Sequence, residues 1–519
     1  MVRKGTTPSQ IVEVEFKFEL TPEDVRRLLQ APQFKAMCTG PARRKTLRAT
    51  YFDTPDFALA ARSIPLRVRK ESRRYVQCIK NKASDDLKHG GFARHEREWQ
   101  VPGPDLDVAL LRGDPEVKAM LKGISLRKLV PLFSTDIKRQ SRTLTTPGGA
   151  EIACDIDQGA IIAGDARAPL YELELELERG NVSELLELAR LVGQIVPARL
   201  SSRSKALRGY TLVRGGPTWV RAFHPPLPKT STAGEVLQTS VQEGLKHLIA
   251  NEDCVLHRCD IEGVHQMRVA MRRMRSVIVT YKRMLPKGSY EDLAADLKTS
   301  GNELGPARDW DVFLDEILPP VEQAFPGDKD LAVLRARSKK RQHAGYKRAR
   351  HLIQSAGYAR LLTEALHWAS NTDWHADVER LSAPATIAAK EILARRYARV
   401  IKAGQGLADL PVEKRHLLRI QVKKMRYGAE FFAELYPDKR TKPFVTALRA
   451  LQDGLGHLND LATAERLMAD VAKRTRGVNA HALHRAAGLV EGWFTHAQHA
   501  REAELLKAWN RFEGVKVFW

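Results

Sequence analysis

The segment Val12-Glu-Val-Glu-Phe-Lys-Phe18 alternates charged and apolar side chains. In an extended strand, Glu13, Glu15 and Lys17 point to one face and the apolar side chains point to the other. The segment Leu170-Tyr-Glu-Leu-Glu-Leu-Glu-Leu177 repeats this pattern, with its carboxylates on one face. The two segments therefore predict strands of a sheet that has one strongly charged face.

Short alternating segments recur through residues 1–214, for example at Leu66–Arg69 and Tyr75–Lys80, and turn-forming residues separate them. Helical patterns are interspersed at Pro22–Gln30 and near Val182–Val192. This order of short strands predicts an antiparallel barrel or a strongly curved sheet with flanking helices, which makes the fold class multidomain α+β.

The pattern changes at the Gly- and Pro-rich residues 215–231, which are typical of a linker. From residue 232 to residue 519, long amphipathic segments with helical periodicity predict an all-helical domain.

The helical half contains an internal repeat. His265–Arg275 and His416–Arg426 share the pattern H-x-x-R-[VI]-x-x-[KR]-[KR]-[ML]-R. Each histidine is followed 44 residues later by the aspartate of an L-G-x-x-x-D motif, at Asp309 and Asp460. The equal spacing indicates a duplication, with repeats at about 232–370 and 380–519, and predicts two similar helical bundles.

The composition limits the class of partner. Among 519 residues, 85 are Lys or Arg and 62 are Asp or Glu, so the formal net charge is +23 and the pI about 9.8. Such an excess attracts polyanions, which include nucleic acid, anionic membranes and polyphosphate. No apolar run is long enough for a membrane span, and the first residues lack a signal-peptide pattern, so we expect no membrane partner and a cytoplasmic location. Five scattered cysteines are consistent with a reducing compartment.

Acidic and basic residues of the strand half concentrate on different strands. If the apolar face packs outward against helices, the charged side chains line the interior, which is unfavourable unless they bind something. Carboxylates bind Mg²⁺ or Mn²⁺ through hard oxygen ligands, and Arg and Lys bind phosphate oxygens. The pattern therefore favours a metal–polyphosphate substrate; the alternative is an antiparallel sheet with one solvated face.

These charged residues, taken in their order along the chain, resemble the motifs of the CYTH superfamily, the triphosphate tunnel metalloenzymes, over about residues 10–212. The family's E-x-E-x-K motif corresponds to Glu13, Glu15 and Lys17. The remaining features follow in the family's order: Asp53-Thr-Pro, Arg67, Arg69, Lys80, Arg94 with Glu96 and Glu98, Arg139, Glu172, Glu174, Glu176, and Ser204-Lys205.

This resemblance implies an eight-stranded antiparallel tunnel that hydrolyses the terminal phosphoanhydride of a triphosphate with Mg²⁺ or Mn²⁺. It implies a catalytic set of Glu13, Glu15, Lys17, Glu172, Glu174 and Glu176, of which Glu13, Glu15, Glu172 and Glu174 bind the metal. It implies triphosphate binding by Lys17, Arg67, Arg69, Lys80, Arg94, Arg139 and Lys205. No residue selects adenine or thiamine, so inorganic tripolyphosphate is the simplest substrate.

The repeated helical motif carries a basic stripe. His265, Arg268, Arg272 and Arg275 lie on one helix face, and His416, Arg419, Lys423 and Arg426 copy that arrangement. No acidic residue lies between Val264 and Arg275. Like charges at this spacing destabilise a helix by a few tenths of a kcal/mol per pair, so their presence in both copies indicates a shared anionic ligand. The stripe has no aromatic residue to stack on bases, which favours phosphate without bases over nucleic acid.

Further basic residues extend this set. Arg273 and Lys424 widen the stripe. Arg308 either contacts the ligand or forms an ion pair with Asp309 or Asp311. Arg341 and Lys347 belong to a third basic run at residues 335–350, for which a solvated helix face is the alternative.

The helical half resembles the CHAD domain, the conserved histidine α-helical domain, over about residues 230–515. The resemblance implies two four-helix bundles related by pseudo-twofold symmetry, with a basic groove that binds inorganic polyphosphate, and an association with polyphosphate granules. The implied ligand set is His265, Arg268, Arg272, Arg273, Arg275, Arg308, Arg341, Lys347, His416, Arg419, Lys423, Lys424 and Arg426.

The sequence thus predicts a metal-dependent triphosphatase joined to a polyphosphate-binding domain. The first alternative is a non-catalytic polyphosphate-binding or granule-associated scaffold. The second is a nucleic-acid binder or a class IV-like adenylate cyclase.

Overall fold

The computed structural model describes residues 14–82, 94–222, 227–228, 230–258, 260–370, 379–473 and 477–519. Contacts between residues divide the chain into two compact units. The first, here named the sheet unit, comprises Met1–Trp219, Ile249–Arg258 and Ile353–Asn371. The second, the helical unit, comprises Val220–Leu248, Cys259–Leu352 and Thr372–Trp519.

One antiparallel sheet dominates the sheet unit. Its strands are β1 (Glu15–Glu19), β2 (Cys38–Asp53), β3 (Leu66–Glu71), β4 (Arg74–Lys82), β5 (Arg94–Val101), β6 (Val130–Thr145), β7 (Glu151–Ala163), β8 (Ala166–Arg179) and β9 (Arg199–Ser201). Their order across the sheet is β5-β4-β3-β2-β6-β7-β8-β1-β9. The described residues therefore contain nine strands rather than the predicted eight, because the short β9 adds a strand beside β1.

The helices, in chain order, are α1 (Pro22–Gln30), α2 (Pro32–Met37), α3 (Ala58–Ala61), α4 (Val108–Gly113), α5 (Pro115–Met120), α6 (Val182–Ile195), α7 (Lys205–Val213), α8 (Ala233–Asp253), α9 (Ile261–Tyr281), α10 (Glu291–Glu303), α11 (Gly305–Val312), α12 (Leu318–Ala324), α13 (Lys329–Ile353), α14 (Ala356–Ser370), α15 (Glu379–Ser382), α16 (Ala385–Gly404), α17 (Val412–Phe432), α18 (Asp438–Ala472) and α19 (Val478–Gly514). Helix α1 has the predicted bounds because Thr21 and Asp24 form a capping box and Pro22 occupies the first turn.

The register of the sheet pairs opposite charges across neighbouring strands. In the β1–β8 pair, Lys17 lies opposite Glu174. In the β6–β7 pair, Arg139 lies opposite Asp157. The other face of β1 is apolar, and Phe18 there is fully buried. Because directly opposed residues on one face approach closely, this register assembles ion pairs on the charged face.

The helical unit shows the internal repeat directly. Helices α9 and α17 have the same length, 21 residues, and each carries its motif histidine four residues after its first residue. The two helices pack against each other. The copies differ at the second motif. In the first repeat, α11 begins at Gly305 with Pro306 in its first turn, whereas in the second repeat α18 continues through the motif. Among the helices that the structure describes, none has the length and apolarity needed to cross a membrane.

Candidate functional site

A cavity of about 270 Å³ lies on the charged face of the sheet. Seven strands and the start of α7 contribute to its wall, so the sheet curves around it. The predicted site residues that line it are Glu15, Lys17, Arg67, Arg69, Lys80, Arg139, Glu174, Glu176 and Lys205. The charged residues of distant strands therefore meet in one interior space, as the alternation of the sequence predicts.

Three predicted residues do not appear in that wall. Glu13 lies outside the described residues. Arg94 begins β5, but its side chain also lies outside them. Glu172 is only 1% exposed and contacts the cavity through Lys205, whose Nζ lies 3.2 Å from Glu172 Oε1.

Glu174 is the centre of the ion-pair network in the cavity. Its Oε1 accepts hydrogen bonds from Lys17 Nζ at 2.8 Å and from Lys205 Nζ at 2.9 Å, and its Oε2 accepts one from Arg139 Nη2 at 2.7 Å. Burial alone would raise the pKa of Glu174, but the three cations hold it well below its usual range. Glu174 in turn raises the pKa of Lys17 and Lys205 against the effect of burial, so both remain charged.

Arg139 is held by carboxylates. Its Nε and Nη2 donate to the two oxygens of Asp157 at 2.7 Å and 2.6 Å, and its Nη1 donates to Asp155. Sequence analysis missed both aspartates, although Asp155-Ile-Asp157 follows the same alternation as the other charged strands. With Asp157 fully buried, this bidentate pair fixes the guanidinium against the wall.

One carboxylate oxygen of Glu172 has no hydrogen-bond donor among the described residues. Burial, with the nearby Glu174, raises its pKa despite the attraction of Lys205. Within the part of the chain that the structure describes, its buried Oε2 accepts no hydrogen bond, and a nitrogen of Arg208 lies 3.9 Å away. A buried carboxylate oxygen of this kind suits a hard cation.

The acidic residues therefore fit a divalent cation by chemistry, although they do not form a ready-made cage. In the described ranges, no three acidic, His or Cys side chains gather closely enough to hold a metal. Lysines neutralise the carboxylates instead, as in the pair between Lys17 Nζ and Glu15 Oε2 at 3.2 Å.

A second buried network in the sheet unit centres on Arg199 of β9. Its Nη1 donates to Glu252 Oε2 at 3.0 Å and to Asp253 Oδ1 at 2.9 Å, and its Nη2 donates to Glu19. Tyr358 donates to Glu252 Oε1 at 2.7 Å. Burial raises the pKa of the fully buried Glu252 to about 7, against the opposing effect of Arg199.

In the helical unit, the two basic stripes lie on α9 and α17 and converge; together they are named the α9–α17 stripe. Burial, followed by Arg272, Arg419 and Arg268 in that order of effect, lowers the pKa of Lys423 to about 8. Arg268 and Arg272 belong to α9, whereas Lys423 and Arg419 belong to α17. The like charges of both repeats therefore lie within electrostatic reach of one another.

Several of these cations are anchored within the protein, and two of them also keep a buried N–H group without a partner among the described residues. Arg272 and Arg426 lie over the ring of Tyr427, at 5.3 Å and 5.2 Å from its centroid. Arg268 Nη1 donates to the carbonyl of Gly301 at 2.9 Å. The buried Nε atoms of Arg272 and Arg419 have no hydrogen-bond partner among the described residues. A buried N–H without a partner is unfavourable, and an anion would satisfy it.

The histidines of the stripe lie in different surroundings. Burial, followed by Arg308, lowers the pKa of His265, which favours its neutral form. His416 and Arg419 line a separate cavity of about 500 Å³ beside α17.

The partners of Arg308 differ from the predicted ones. Its Nη2 lies 3.1 Å from Oε1 of Glu316, which belongs to the π-helical segment Phe313–Ile317 that follows α11. Asp309 pairs with Arg466, and Asp311 accepts hydrogen bonds from neutral side chains. The expectation of a pair with Asp309 or Asp311 is therefore wrong, because both carboxylates have other partners.

The third basic run lies on α13. Arg341 Nε is 3.4 Å from Asp470 Oδ2, and Lys347 is exposed. Neither observation places Arg341 or Lys347 beside the α9–α17 stripe.

A curved antiparallel sheet around a cavity of acids and bases, together with a duplicated helical region, defines a two-domain class of protein. Residues 12–210 match the family model of the CYTH domain, and residues 239–469 match that of the CHAD domain. The chain therefore combines a CYTH domain with a CHAD domain.

Three similar proteins match different parts of the chain. The chain is 30% identical to the inorganic triphosphatase of Haemophilus influenzae over 207 residues, which cover 38% of this chain and 54% of that protein, about half its length. An uncharacterised protein of Mycobacterium tuberculosis is 26% identical over 480 residues, covering 86% of this chain and 88% of the relative. The crystal structure of the CHAD domain from Ricinus communis is 29% identical, with a TM-score of 0.52, and the match covers 59% of this chain and 99% of that chain.

Proposed function

We propose that the cavity of the sheet unit hydrolyses inorganic tripolyphosphate with a divalent cation, and that the α9–α17 stripe binds inorganic polyphosphate. The observation that supports the first part is the meeting of nine predicted acidic and basic side chains in one cavity. The CYTH match and the relative named an inorganic triphosphatase favour the same activity.

The cavity has the charges that phosphoryl transfer needs. This chemistry depends more on positioning and charge neutralisation than on covalent steps. Arg67 and Arg69 of β3 and Lys80 of β4 line one part of the wall, where they bind the phosphate oxygens. Lys17 and Lys205 add two cations that Glu174 keeps protonated.

The acidic residues supply the cation site. We assign Glu13, Glu15, Glu172 and Glu174 to Mg²⁺ or Mn²⁺, with Oε2 of Glu172, which accepts no hydrogen bond from the described residues, as one available oxygen. A bound divalent cation would neutralise phosphate charge and lower the pKa of a bound water. Asp155 and Asp157 hold Arg139, and Arg139 in turn donates to Glu174. Its role in the proposal is therefore to position Glu174, although the sequence resemblance implies phosphate binding.

The stripe of the helical unit suits a chain of phosphates. Arg268, Arg272, Arg419, Lys423 and Arg426 present like charges from two packed helices. The match to the CHAD domain favours this function. Binding polyphosphate would neutralise the repulsion and give acceptors to the Nε donors of Arg272 and Arg419, which have none among the described residues.

Phosphate release from tripolyphosphate tests the enzymatic part. The full chain should release phosphate with Mg²⁺ or Mn²⁺ and lose that activity in chelator. Glu13→Gln combined with Glu15→Gln should abolish release, whereas Glu178→Gln, an exposed position at the end of β8, should not. Equal rates with and without chelator would reject the metal assignment, and no release with either metal would favour the non-catalytic scaffold.

Binding of long-chain polyphosphate tests the stripe. Arg272→Glu combined with Lys423→Glu should weaken it by at least about 100-fold, since each lost phosphate contact also removes counterion release. Lys339→Glu combined with Lys340→Glu is a matched control, because it makes the same charge change at exposed positions of α13. Preference for RNA over polyphosphate at equal salt would instead identify a nucleic-acid binder.

A further inference from the structure

Glu19, at the end of β1, continues the charged face of the sheet beyond the cavity wall. In the register of the sheet, Glu19 lies opposite Glu172 of β8 on one side and opposite Arg199 of β9 on the other. Glu172 in turn lies opposite Asp157 of β7, which lines the cavity. Because directly opposed residues share a face, a row of charged side chains leads from the cavity wall to β9.

Helix α7 adds two cations beside this row. Lys205, its first residue, has its Nζ 3.2 Å from Oε1 of Glu172. Arg208 follows three residues later, and residues at that spacing lie on the same face of a helix. Arg208 Nη1 is 3.9 Å from Oε2 of Glu172, beyond hydrogen-bond distance, and its Nη2 donates to the carbonyl of Pro169 at 3.1 Å. Each oxygen of Glu172 therefore faces a different cation, and Oε2 accepts no hydrogen bond from the described residues.

Arg208 lies between two carboxylates. Its Nη1 is 3.7 Å from Oε1 of Glu19 and 3.9 Å from Oε2 of Glu172. Burial raises the pKa of Glu19, but Arg199 and then Arg208 lower it to about 2, so Glu19 stays ionised. For Glu172, burial raises the pKa, and Lys205 is the cation that opposes this effect most. Arg208 thus acts more strongly on Glu19 than on Glu172, and the two carboxylates compete for its charge.

Glu19 is itself held by Arg199. The Nη2 atom of Arg199 donates to Glu19, and Ser201 Oγ donates to Oε1 of Glu19 at 3.2 Å. The Nη1 atom of Arg199 donates to Oε2 of Glu252 at 3.0 Å and to Oδ1 of Asp253 at 2.9 Å. Because these carboxylates share one guanidinium, removing the charge of one leaves more of the arginine's charge to neutralise the others.

Glu252 and Asp253 lie outside the range that matches the CYTH domain. They are the last residues of α8 and lie in the range that matches the CHAD domain, yet Ile249–Arg258 belongs to the sheet unit. Tyr358, which also lies in both the CHAD match and the sheet unit, donates to Oε1 of Glu252 at 2.7 Å. The row of charges that starts at the cavity therefore ends on residues of the CHAD match.

We propose that Glu19 is a positioning residue for the cation site, which holds Arg208 away from Oε2 of Glu172 and so leaves that oxygen to a divalent cation. Glu252 supports this role from the CHAD match, because it binds part of the charge of Arg199 that would otherwise neutralise Glu19. The inference rests on the proposed function, in which Glu172 is one of the cation ligands. Without the negative charge of Glu19, Arg208 pairs with Glu172 and competes with the cation.

Binding of Mn²⁺ to the metal-free full chain tests the inference. Electron paramagnetic resonance measures the free ion at about pH 8.5, where Glu252 is ionised. Glu19→Gln should weaken binding about 10-fold, as is usual when a residue that orients a metal ligand is replaced. Arg208→Gln should instead strengthen it about threefold, because it removes the competing charge. Glu178→Gln, the same change as at Glu19 but at an exposed position of β8, should have no effect.

A double variant separates positioning from the simple loss of one negative charge. In the Arg208→Gln background, Glu19→Gln should change Mn²⁺ affinity by less than about twofold, because no arginine is left to pair with Glu172. Glu252→Gln should weaken binding about threefold in the unmodified chain and should have no effect in the Arg208→Gln background. Equal effects of Glu19→Gln in both backgrounds, or weaker binding in Arg208→Gln alone, would overturn the inference. An unchanged affinity in Glu252→Gln would overturn the role of that residue.

Glu172→Gln distinguishes a failure of the inference from a failure of the proposed function. If Glu172→Gln weakens Mn²⁺ binding and Glu19→Gln does not, the positioning role fails and the proposed cation site stands. If neither variant weakens it, Glu172 is not a cation ligand, and the metal assignment fails together with the inference. The Mg²⁺ concentration for half-maximal phosphate release should follow the same order of variants, whereas the rate at saturating Mg²⁺ should change little in Glu19→Gln.

Discussion

Lys205 in the sheet unit and Lys423 in the helical unit are both partly buried lysines, yet the charges around them have opposite signs. Lys205 contacts Asp157, Glu172 and Glu174, and these carboxylates raise its pKa against the effect of burial. Lys423 has Arg272 and other arginines as its neighbours, and its pKa falls to about 8. The unfavourable burial of a charged lysine is therefore offset by carboxylates of the protein in the sheet unit. In the helical unit, an external anion has to offset it.

This difference separates two ways of binding phosphate. The cavity of the sheet unit is pre-organised by pairs such as Lys17 with Glu174, so its charges keep their positions before substrate arrives. The stripe of the helical unit keeps repulsion in the free protein, which ligand binding relieves. The first arrangement suits catalysis, and the second suits tight, salt-dependent binding of a long polyanion.

The largest effect is expected at the centre of the cavity. Glu174→Gln removes the charge that holds Lys17, Lys205 and Arg139, so tripolyphosphate turnover should fall by about 1,000-fold, as for loss of a key electrostatic group. Steady-state phosphate release measures it, with Glu178→Gln on the same strand as the control. A fall of less than tenfold would show that the network is structural rather than functional.

Replacing Lys205 and replacing Lys423 should change the free energy of unfolding in opposite directions. Lys205→Met leaves Asp157 and Glu174 with less compensation and should lower the free energy of unfolding by about 3 kcal/mol. Lys423→Met removes a repelled charge and should raise it by about 1 kcal/mol at pH 7. Urea unfolding of the full chain without ligand measures both, and a change of the same sign in the two variants would contradict the comparison.

The Arg199 network should make stability depend on pH. The pKa of Glu252 is raised to about 7 in the folded chain, so the folded state binds this proton more tightly than the unfolded state. Its contribution is fully present below about pH 4.5 and is lost as pH rises through 7, by about 3 kcal/mol. Glu19, with a pKa of about 2, stays ionised in this window.

Glu252→Gln removes that titration, so its free energy of unfolding should change less than that of the unmodified chain between pH 5 and pH 8. Denaturation at several pH values measures the difference. Tyr358→Phe is the companion variant, because it removes the hydrogen bond to Glu252 and keeps the carboxyl group. Parallel curves for Glu252→Gln and the unmodified chain would reject the assignment.

The smallest expected effect is a pH dependence of polyphosphate affinity. Because Lys423 loses its proton near pH 8 in the free protein, affinity should decline about fivefold between pH 7 and pH 9.5. Lys423→Arg keeps the charge throughout that range and should flatten the decline. Titration at constant ionic strength measures both; a decline that Lys423→Arg does not change would assign the proton to another group.

The sequence predicted the charged faces well because alternation is a local property. Alternation put Glu15 and Lys17 on one face and predicted a charged face at Glu174, the resemblance to the CYTH superfamily added Lys205, and all four line one cavity. The clamp on Arg139 could not be foreseen, because it depends on the register of β6 against β7.

Long-range contacts explain the remaining differences. Strand β9 has three residues, too few for a period to be recognised. The pairing of Arg308 with Glu316 depends on where α11 ends, and the contact of Arg199 with Glu252 joins residues 53 positions apart. Each of these features is defined by packing rather than by any pattern in the neighbouring sequence.

The most direct test of the central claim is hydrolysis of tripolyphosphate by the full chain in ¹⁸O-labelled water, with Mg²⁺ or Mn²⁺, followed by mass analysis of the products. Attack of water on the terminal phosphorus predicts one ¹⁸O atom in the released orthophosphate and none in the pyrophosphate. Absence of turnover with both metals, or label in the pyrophosphate instead, would contradict the assignment of the cavity as a hydrolase acting on the terminal phosphate.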